Sequence, residues 1–304
     1  MLLLLDTASL YFRAFFGTPD TITAPDGTPV NAVRGLLDYL ARLVSDHRPT
    51  RMVAAMDYSW RPSWRVAAVP SYKAHRVADE ATNEEEVPDL LSPQVPIICD
   101  VLDAFGIVRA GAADYEADDV IGTLATRTDD AVEIVTGDRD LFQLVDDAQP
   151  IRIIYVARGV NNREVIDEAE VTRRYGIPGR AYADFATLRG DPSDGLPGVP
   201  GVGEKTAAAL INAFGSLPGV IEAARGDGAG FPRGSQAKVL AALDYLAVAR
   251  TVVDVARDAP VEPLADDLPA APVDPDALET LAHRWGLANA VDRLTSVLAQ
   301  VSPA

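Results

Sequence analysis

Residues Ala113–Asp140 read A-D-Y-E-A-D-D-V-I-G-T-L-A-T-R-T-D-D-A-V-E-I-V-T-G-D-R-D. Apolar residues recur with helical spacing from Val120 onward, which predicts a helix, and the β-branched run Ala131–Thr136 predicts a buried strand. Helices that alternate with strands are typical of α/β folds, in which parallel strands bring their carboxyl ends to one edge of the sheet. The stretch therefore predicts an α/β fold with a doubly wound, mainly parallel central sheet.

Two earlier apolar runs fit the same sheet, and each is followed by an aspartate. Leu2–Leu5 ends on Asp6, and Arg51–Met56 ends on Asp57. The helical spacing of Val33–Leu43 between them predicts the connecting helix. Because parallel strands end at one edge, both carboxylates are expected in a shared crevice. The alternative for either aspartate alone is a helix cap or a turn.

The opening stretch adds two carboxylate clusters to this crevice. Glu116, Asp118 and Asp119 lie where the predicted helix begins, and Asp138 and Asp140 follow the predicted strand. Close like charges raise one another's pKa unless cations neutralise them. A set of oxygen ligands suits Mg²⁺ or Mn²⁺ better than zinc, which prefers histidine or cysteine. A metal site is the prediction, and a simple helix N-terminus that attracts acids is the alternative for the first cluster.

Composition limits the class of protein. The chain has 304 residues, of which 48% are hydrophobic, and a formal net charge of −18. This length can bury a sizeable core, and the charge argues against a protein that coats polyanions without structural preference. No apolar run has the length of a membrane span, and no signal peptide is recognisable. The single cysteine, Cys99, excludes an internal disulfide and fits a cytoplasmic location.

Residues 58–96 interrupt the α/β alternation and are expected to form a mobile insertion. Tyr72, Lys73 and Arg76 would provide a stacking surface beside two cations, a combination suited to a single-stranded nucleic acid end. The alternative is a solvated loop with incidental charges. The acidic run Glu80–Glu86 is expected to form a solvated helix face.

A glycine-rich string follows two more acids, Asp191 and Asp194. Residues 198–203 read G-V-P-G-V-G and are followed by an apolar helical run, Glu204–Phe214. Glycine lets the backbone N–H groups approach a phosphate, and a helix N-terminus favours the anion. The combination predicts a helix-hairpin-helix that binds the DNA backbone without reading bases.

The chain is expected to have three parts. Residues 1–180 would form the α/β core with its insertion, 181–250 the helix-hairpin-helix module, and 251–304 a C-terminal linker and helices that pack on the core. Within the last part, Val255–Pro275 is rich in Pro, Asp and Ala, which predicts an extended linker. Two short helices, Ala277–Trp285 and Ala288–Gln300, are predicted to follow.

Seven motifs occur in the order and spacing of the bacterial 5′-nuclease (flap endonuclease) family. They are L-L-D-T, A-A-M-D, Y-K-A-H-R, Y-E-A-D-D-V-I-G, T-G-D-R-D-L-F-Q-L, L-R-G-D-P-S-D and G-V-P-G-V-G-E-K-T-A. The chain resembles the 5′-3′ exonuclease portion of bacterial DNA polymerase I, or its free-standing relative, over nearly its whole length. The resemblance implies a PIN-like nuclease core with a helical arch insertion and a helix-hairpin-helix module.

The resemblance also implies roles for particular residues. Lys73 and Arg76 match cations that steady the scissile phosphate, and Tyr72 matches a residue that stacks near the cleaved nucleotide. The implied divalent-metal ligands are Asp6, Asp57, Glu116, Asp118, Asp119, Asp138, Asp140, Asp191 and Asp194. The implied DNA-binding residues are Arg13, Gly198, Gly201, Gly203, Lys205 and Thr206.

The activity implied is two-metal-ion hydrolysis of DNA at or near 5′ ends, as exonuclease and as flap endonuclease, in primer removal and DNA repair. The products would carry a 5′-phosphate and a 3′-hydroxyl. The implied cofactor is Mg²⁺ or Mn²⁺, with K⁺ as a further candidate at the hairpin. The implied partner is DNA with a 5′ flap, a nick or a recessed 5′ end, with an RNA primer as a further candidate, and a monomer is expected.

Two other functions stay open at this point. A non-catalytic adaptor could keep the hairpin and the insertion and only bind flaps. A ribonuclease of the related single-domain class would share the acidic crevice but lack both of those elements. Two departures from the family pattern also bear on function: Gly195, where many members carry Asn, and the acidic segment Asp79–Asp89 of the insertion.

Overall fold

A computed structural model describes residues 1–79, 81 and 84–301. Its strands, over these residues, are β1 (Leu2–Asp6), β2 (Arg51–Ala55), β3 (Val77–Asp79), β4 (Glu84–Glu85), β5 (Val108–Ala110), β6 (Val132–Thr136), β7 (Ile151–Tyr155) and β8 (Glu164–Ile166). Its α-helices are α1 (Thr7–Gly17), α2 (Asn31–His47), α3 (Ser63–Ala68), α4 (Gln94–Phe105), α5 (Ala117–Arg127), α6 (Glu168–Tyr175), α7 (Tyr182–Arg189), α8 (Glu204–Phe214), α9 (Leu217–Arg225), α10 (Ser235–Ala241), α11 (Leu243–Val253), α12 (Pro275–Trp285) and α13 (Ala288–Val301).

Six strands form the central sheet in the order β5-β2-β1-β6-β7-β8. All neighbours are parallel except β7 and β8. From β1 the chain moves outward through β2 and β5, and then returns to the other side of β1 to form β6. The point where the strand order reverses lies between β1 and β6, and a crevice is expected there at the carboxyl ends of the strands. The predicted doubly wound, mainly parallel sheet is confirmed.

The leucine run of β1 explains why this strand is central. Leu2 and Leu4 belong to a core on one face of the sheet, whereas Leu3 and Leu5 belong to a core on the other. Each of the four is at most 1% exposed. A parallel strand with helices on both faces has no solvent-facing side, so its sequence is continuously apolar.

The insertion differs from the predicted helical arch. It contains the six-residue helix α3, a 3-10 turn at Ala74–Arg76 and an antiparallel pairing of β3 with β4. Glu84–Glu85, expected on a solvated helix face, therefore lies in a hairpin, where Glu86 N also donates to Arg76 O at 2.8 Å. Acidic side chains predict that a segment is exposed, but they do not predict which segment its backbone pairs with. Here the backbone N–H and C=O groups of β4 pair with those of β3. Glu80, Thr82 and Asn83 lie outside the described residues.

The second half of the chain is mainly helical. The predicted bounds of α8 are confirmed, and α12 and α13 occur where two short helices are expected. The apolar spacing of Val165–Tyr175 predicts a short amphipathic helix, and this prediction is wrong at its start, because Glu164–Ile166 pairs with β7 and α6 begins only at Glu168. The division of the chain at residues 180 and 250 stays a prediction.

Across the described residues, no single helix is long and apolar enough to cross a membrane. The pair α8 and α9 would meet that test of length and composition only when taken together, and the two helices are bent by 82°.

Candidate metal-binding active site

Acids from separate elements line one cavity at the switch point of the sheet. The cavity has a volume of about 750 Å³, and its acidic lining includes Asp6, Asp57, Glu116, Asp118 and Asp138. Asp6 ends β1, Asp57 follows β2, and Asp138 follows β6, while Glu116 and Asp118 lie at the start of α5. The predicted convergence of strand ends and helix start is thus what the fold produces.

Backbone and hydroxyl groups fix two of these carboxylates. Asp6 caps α1 by accepting from Ser9 N at 3.1 Å, and it also accepts from the Thr136 hydroxyl at 2.6 Å. Burial and the neighbouring carboxylates of Asp57 and Asp138 raise the pKa of Asp6 to about 7. Asp57 accepts from Ala117 N at 2.8 Å, and burial raises its pKa as well. The alternative of helix capping is thus correct for Asp6, which both caps a helix and faces the cavity.

Asp118 is the carboxylate of this cavity whose charge is least stabilised by neighbouring groups. Burial raises its pKa well above the usual value, and the nearby charges of Asp6, Asp138 and Glu116 raise it further. Neither Asp118 nor Asp138 has an ion-pair partner among the described residues. Carboxylate oxygens without a paired cation are the kind of donor that a hard divalent ion prefers. The residues present therefore fit Mg²⁺ or Mn²⁺.

Glu116 differs because it already has two cations. Lys73 Nζ lies 2.5 Å from Glu116 Oε1, and Arg65 Nη1 lies 2.6 Å from Glu116 Oε2. The Tyr72 hydroxyl donates to the same carboxylate at 2.8 Å. Burial of the carboxyl raises the pKa of Glu116, and the two cations oppose that shift.

The geometry of Tyr72 corrects its expected role as a stacking surface. The residue is only 3% exposed, and its hydroxyl is bound to Glu116. It packs inward because its ring belongs to the core on one face of the sheet. A nucleobase cannot stack on a ring that is covered in this way.

Asp119 points away from the cavity. Its carboxylate accepts from Arg65 Nη2 at 2.7 Å, from Arg65 Nη1 at 2.8 Å, from Ala256 N at 2.8 Å and from Glu116 N at 3.1 Å. The residue is completely buried. These bonds satisfy the four lone-pair sites of a carboxylate. Asp119 was expected among the metal ligands, but its oxygens are occupied by protein donors.

Asp140, Asp191 and Asp194 form a second acidic group beside the cavity. Burial raises the pKa of Asp140 well above the usual value, and Asp138, Asp194 and Asp191 add to the shift. Arg76 Nη2 lies 3.0 Å from Asp194 Oδ1. The charge of Asp138 raises the pKa of Asp118 in the cavity and of Asp140 in the second group. The Asp138 carboxylate is therefore close to both groups.

Within residues 1–79, 81 and 84–301, no three acidic, histidine or cysteine side chains converge closely enough to hold a metal ion as they stand. Glu116 and Asp194 are engaged with cations, and Asp6 and Asp57 with hydrogen-bond donors. Binding an ion in this cavity therefore requires side-chain rotation.

The insertion is hydrogen-bonded to the loop that carries Asp191 and Asp194. Lys73 N donates to Asp194 O at 2.9 Å, and the Ser71 hydroxyl donates to Gly195 O at 2.8 Å. Gly195 has φ +70°, and a Cβ there would lie 2.1 Å from Ser71 O. Glycine at this position, where relatives were expected to carry Asn, is what the close approach of the insertion requires. Lys73 itself adopts φ +49°, an uncommon value for a residue with a side chain.

The predicted hairpin is present before α8. Gly198 has φ +64°, and a Cβ there would lie 2.5 Å from the Arg189 backbone, so glycine is required. Lys238 Nζ donates to Gly201 O at 2.8 Å and holds the turn from α10. Gly203 precedes α8, in whose first turn Lys205 is exposed and Thr206 is half-buried.

Arg13 lines the cavity, but its guanidinium is directed at the protein. It donates to Gly137 O at 3.1 Å and to Ala157 O at 3.2 Å, which lie in the loops after β6 and β7. Arg13 was expected to bind DNA, and in this structure it joins the two loops that border the cavity.

Several residues at the site had no recognisable sequence signal. Arg65 is buried beside Glu116, and Thr136 binds Asp6 from the end of β6. The exposed rings of Phe16 and Tyr58, 74% and 60% accessible, also line the cavity, together with the exposed Arg158. The aromatic and basic composition of residues 58–65 could have indicated Tyr58.

The fold and the cavity together define a class of protein, namely an α/β nuclease core with an acidic switch point and a helical module that begins at a glycine hairpin. Sequence models of the family match on both sides: "5′-3′ exonuclease, N-terminal resolvase-like domain" over residues 1–176 and "5′-3′ exonuclease, C-terminal SAM fold" over residues 177–276. The chain belongs to the 5′-3′ exonuclease family, a family of nucleases.

Two relatives and one solved structure illustrate the match. A 5′-3′ exonuclease of Streptomyces coelicolor is 58% identical over 299 residues, which is 97% of this chain and 99% of that protein. DNA polymerase I of Mycobacterium bovis is 39% identical over 303 residues, covering 98% of this chain and 32% of the polymerase. The predicted resemblance to both kinds of protein is confirmed.

The solved structure is the bacteriophage T5 flap endonuclease in a pseudo-enzyme–product complex with DNA and metal ions. It superposes with a TM-score of 0.65 at 15% identity and covers 99% of this chain and 98% of that one. At this identity the likeness shows a common fold.

Proposed function

We propose that this protein is a divalent-metal-dependent, structure-specific 5′ nuclease. It hydrolyses DNA phosphodiesters at or near 5′ ends, as an exonuclease and a flap endonuclease, and leaves a 5′-phosphate and a 3′-hydroxyl. The observation that carries the proposal is the cavity where Asp6, Asp57, Glu116, Asp118 and Asp138 meet, four of which, all but Glu116, have no ion-paired cation among the described residues. Primer removal and DNA repair are the processes that such an activity serves.

The metal ligands we propose fall into two groups. Asp6, Asp57, Glu116, Asp118 and Asp138 face the cavity. Asp140, Asp191 and Asp194 lie beside it; the charge of Asp138 raises the pKa of Asp140 and of Asp194, and the charge of Asp191 adds to both shifts. When bound, Mg²⁺ or Mn²⁺ ions would supply activation of water and stabilisation of the leaving 3′ oxygen. Asp119, with its oxygens occupied by Arg65 and backbone donors, has the weakest support as a ligand.

Two cations are placed to receive the scissile phosphate. Lys73 and Arg76 both line the cavity, from the insertion side. Lys73 is held by Glu116 and packs over the Tyr72 ring, so its ammonium is fixed before the substrate arrives. The Arg76 side chain is 36% exposed, and one nitrogen of its guanidinium is bound to Asp194, which leaves other N–H groups of the guanidinium for a phosphate. Such preorganised charges stabilise a phosphate as negative charge develops on it.

The helix-hairpin-helix supplies the contact with duplex DNA. Backbone N–H groups at the hairpin and the start of α8 can bind a phosphate, and Lys205 adds an exposed charge. K⁺ at this hairpin remains a candidate cofactor. The proposed substrates are DNA with a 5′ flap, a nick or a recessed 5′ end, and an RNA primer. A monomer in the cytoplasm also stays a prediction.

The test is cleavage of end-labelled 5′-flap, nicked and 5′-recessed duplexes with and without Mn²⁺ or Mg²⁺. We expect metal-dependent products with 3′-hydroxyl ends, and loss of cleavage in Asp138→Asn with DNA affinity largely kept. Binding without metal-dependent cleavage would identify an adaptor instead. Cleavage restricted to RNA would identify a ribonuclease. Asp103→Asn, which removes an acid paired with Arg109 on the surface, is the control.

A further inference from the structure

Arg65 is a buried arginine whose guanidinium donors are all hydrogen-bonded within the protein. Its side chain is 2% exposed, and each of its five N–H groups has an acceptor. Glu116 Oε2 and Asp119 Oδ2 lie 2.6 and 2.8 Å from Nη1, and Asp119 Oδ1 lies 2.7 Å from Nη2. The carbonyls of Val252 and Asp254 accept at 3.1 and 3.2 Å. No donor is left for a substrate, so Arg65 must act through the groups it holds.

These acceptors come from different parts of the chain. Glu116 and Asp119 belong to the start of α5 at the cavity. Val252 and Asp254 lie at the end of α11, which packs on α7 and on α3. The helix α7 is in turn bonded to the hairpin, since Val199 N donates to Leu188 O at 2.9 Å. A continuous path of contacts thus leads from the DNA-binding hairpin through α7 and α11 to Arg65 and Glu116.

The charges of this cluster balance without a metal. Arg65 and Lys73 together offset Glu116 and Asp119. By contrast, Asp6, Asp118 and Asp138 lie in the same region with no paired cation among the described residues. The α11 end holds two of the guanidinium's N–H groups through the carbonyls of Val252 and Asp254, and a buried N–H group that loses its acceptor is costly. A shift of the α11 end is therefore expected to move Arg65 and the carboxylates it binds.

We propose that Arg65, with Asp119 as its anchor, is a positioning residue that couples duplex binding at the helix-hairpin-helix to metal binding in the cavity. The inference rests on the proposed function. Seating of duplex on the hairpin sets the end of α11, the rigid guanidinium fork passes that position to Glu116, and Glu116 turns its carboxylate toward the ion. Duplex and metal then bind cooperatively.

The coupling is the factor by which one ligand, duplex or Mn²⁺, raises the affinity for the other, and it is measured from both sides. The affinity for a 5′-flap duplex with non-hydrolysable linkages at the junction is determined with and without Mn²⁺, and the affinity for Mn²⁺ is determined with and without that duplex. The two ratios must agree because coupling between sites is reciprocal. The variants are Arg65→Lys, which keeps the charge but loses the fork, and Asp119→Asn, which keeps the shape of the anchor.

Arg127→Lys is the matched control. Arg127 ends α5, the helix that carries Asp119, and like Arg65 it binds backbone carbonyls of the chain near or after the end of α11, here those of Ala259 and Val261, but it is not among the residues that line the cavity. It reports what loosening this packing does without changing Glu116. Thermal unfolding of every variant shows whether it is folded. Should Arg65→Lys not fold, Asp119→Asn decides.

In the unmodified protein we expect each ligand to raise the affinity for the other about fivefold or more. In Arg65→Lys and Asp119→Asn this ratio should fall to near one, while the affinity for duplex without metal stays unchanged. Arg127→Lys should keep the ratio of the unmodified protein. The inference is overturned if the unmodified protein shows a ratio of one. It is also overturned if Arg65→Lys and Asp119→Asn are folded and keep the ratio of the unmodified protein. It is also overturned if Asp119→Asn weakens Mn²⁺ binding without DNA while Arg65→Lys does not, because Asp119 would then be a ligand. Metal-dependent cleavage by the parent protein is scored separately, so failure of the coupling leaves the nuclease proposal intact.

Discussion

Replacing Asp6 by Asn should make the metal-free protein more stable at neutral and alkaline pH. Asp6 is 6% exposed, and burial and neighbouring carboxylates raise its pKa to about 7. The same group has its ordinary pKa of 3.8 in the unfolded chain. Above pH 7 the folded protein therefore holds an ionised carboxylate in a place that disfavours it. Asparagine has the same shape and no charge.

The size of the effect follows from the difference in pKa. A difference of about three units corresponds to about 4 kcal/mol at pH 8, at about 1.4 kcal/mol per unit. Asparagine can still cap α1, but it disturbs the hydrogen bond from Thr136, at a cost of about 1 kcal/mol. The expected net gain is about 3 kcal/mol in the free energy of unfolding.

The pH dependence has a definite sign. Because the folded-state pKa is the higher one, the unfolded chain loses the Asp6 proton first, and the parent loses stability between pH 4 and pH 7. Near pH 4 the group is largely protonated in the folded state, so the advantage of Asn should vanish and the lost hydrogen bond should dominate. Urea unfolding of both proteins in EDTA at pH 4 and pH 8 measures this. An Asp6→Asn protein that is destabilised equally at both pH values would refute the reasoning.

Divalent ions should reverse the order of the two proteins. A ligand that binds only the folded state stabilises it according to its concentration and affinity. The parent at pH 8 should gain stability with Mn²⁺, whereas Asp6→Asn should gain much less. Asp103→Asn removes a surface acid that is paired with Arg109 and serves as the control, with the same Mn²⁺ gain as the parent.

Two further predictions concern the cations. Lys73→Met should lower the maximal cleavage rate by about 10²- to 10³-fold, because it removes a preorganised charge at the phosphate, while DNA affinity falls far less. Single-turnover kinetics measure the rate and equilibrium binding measures the affinity. Equal losses in both would show that Lys73 contributes to DNA binding and not to the chemical step. Lys205→Gln should reduce the slope of log affinity against log salt by about one, because one phosphate contact is lost; a titration from low to high salt measures it, with Arg42→Gln on α2 as the control, and an unchanged slope would remove Lys205 from the interface.

The sequence was most informative where local chemistry decides the structure. β1 could be predicted because a strand covered on both faces must be apolar at every position, and Leu2–Leu5 is. The bounds of α8 could be predicted because Gly203 and Gly215 flank the apolar run and end it on both sides. The acids could be grouped because parallel strands end at one edge.

Partners that are distant in sequence could not be predicted. Tyr72 and Glu116 are 44 residues apart and Arg65 and Val252 are 187 apart. Nothing in the neighbouring residues of Tyr72 or Arg65 shows that these side chains turn inward, since aromatic and basic residues equally suit a solvated insertion. The hairpin of β3 and β4 was missed for the same reason, because its acidic residues specify exposure and not a backbone partner.

The central claim is that the carboxylates of this cavity are arranged to hold divalent ions. The most direct measurement is an anomalous difference map from crystals of the protein soaked in manganese. We expect Mn²⁺ peaks in the cavity, with ligating oxygens drawn from Asp6, Asp118 and Asp138. A map without a peak there, with these side chains turned outward into solvent, would contradict the claim.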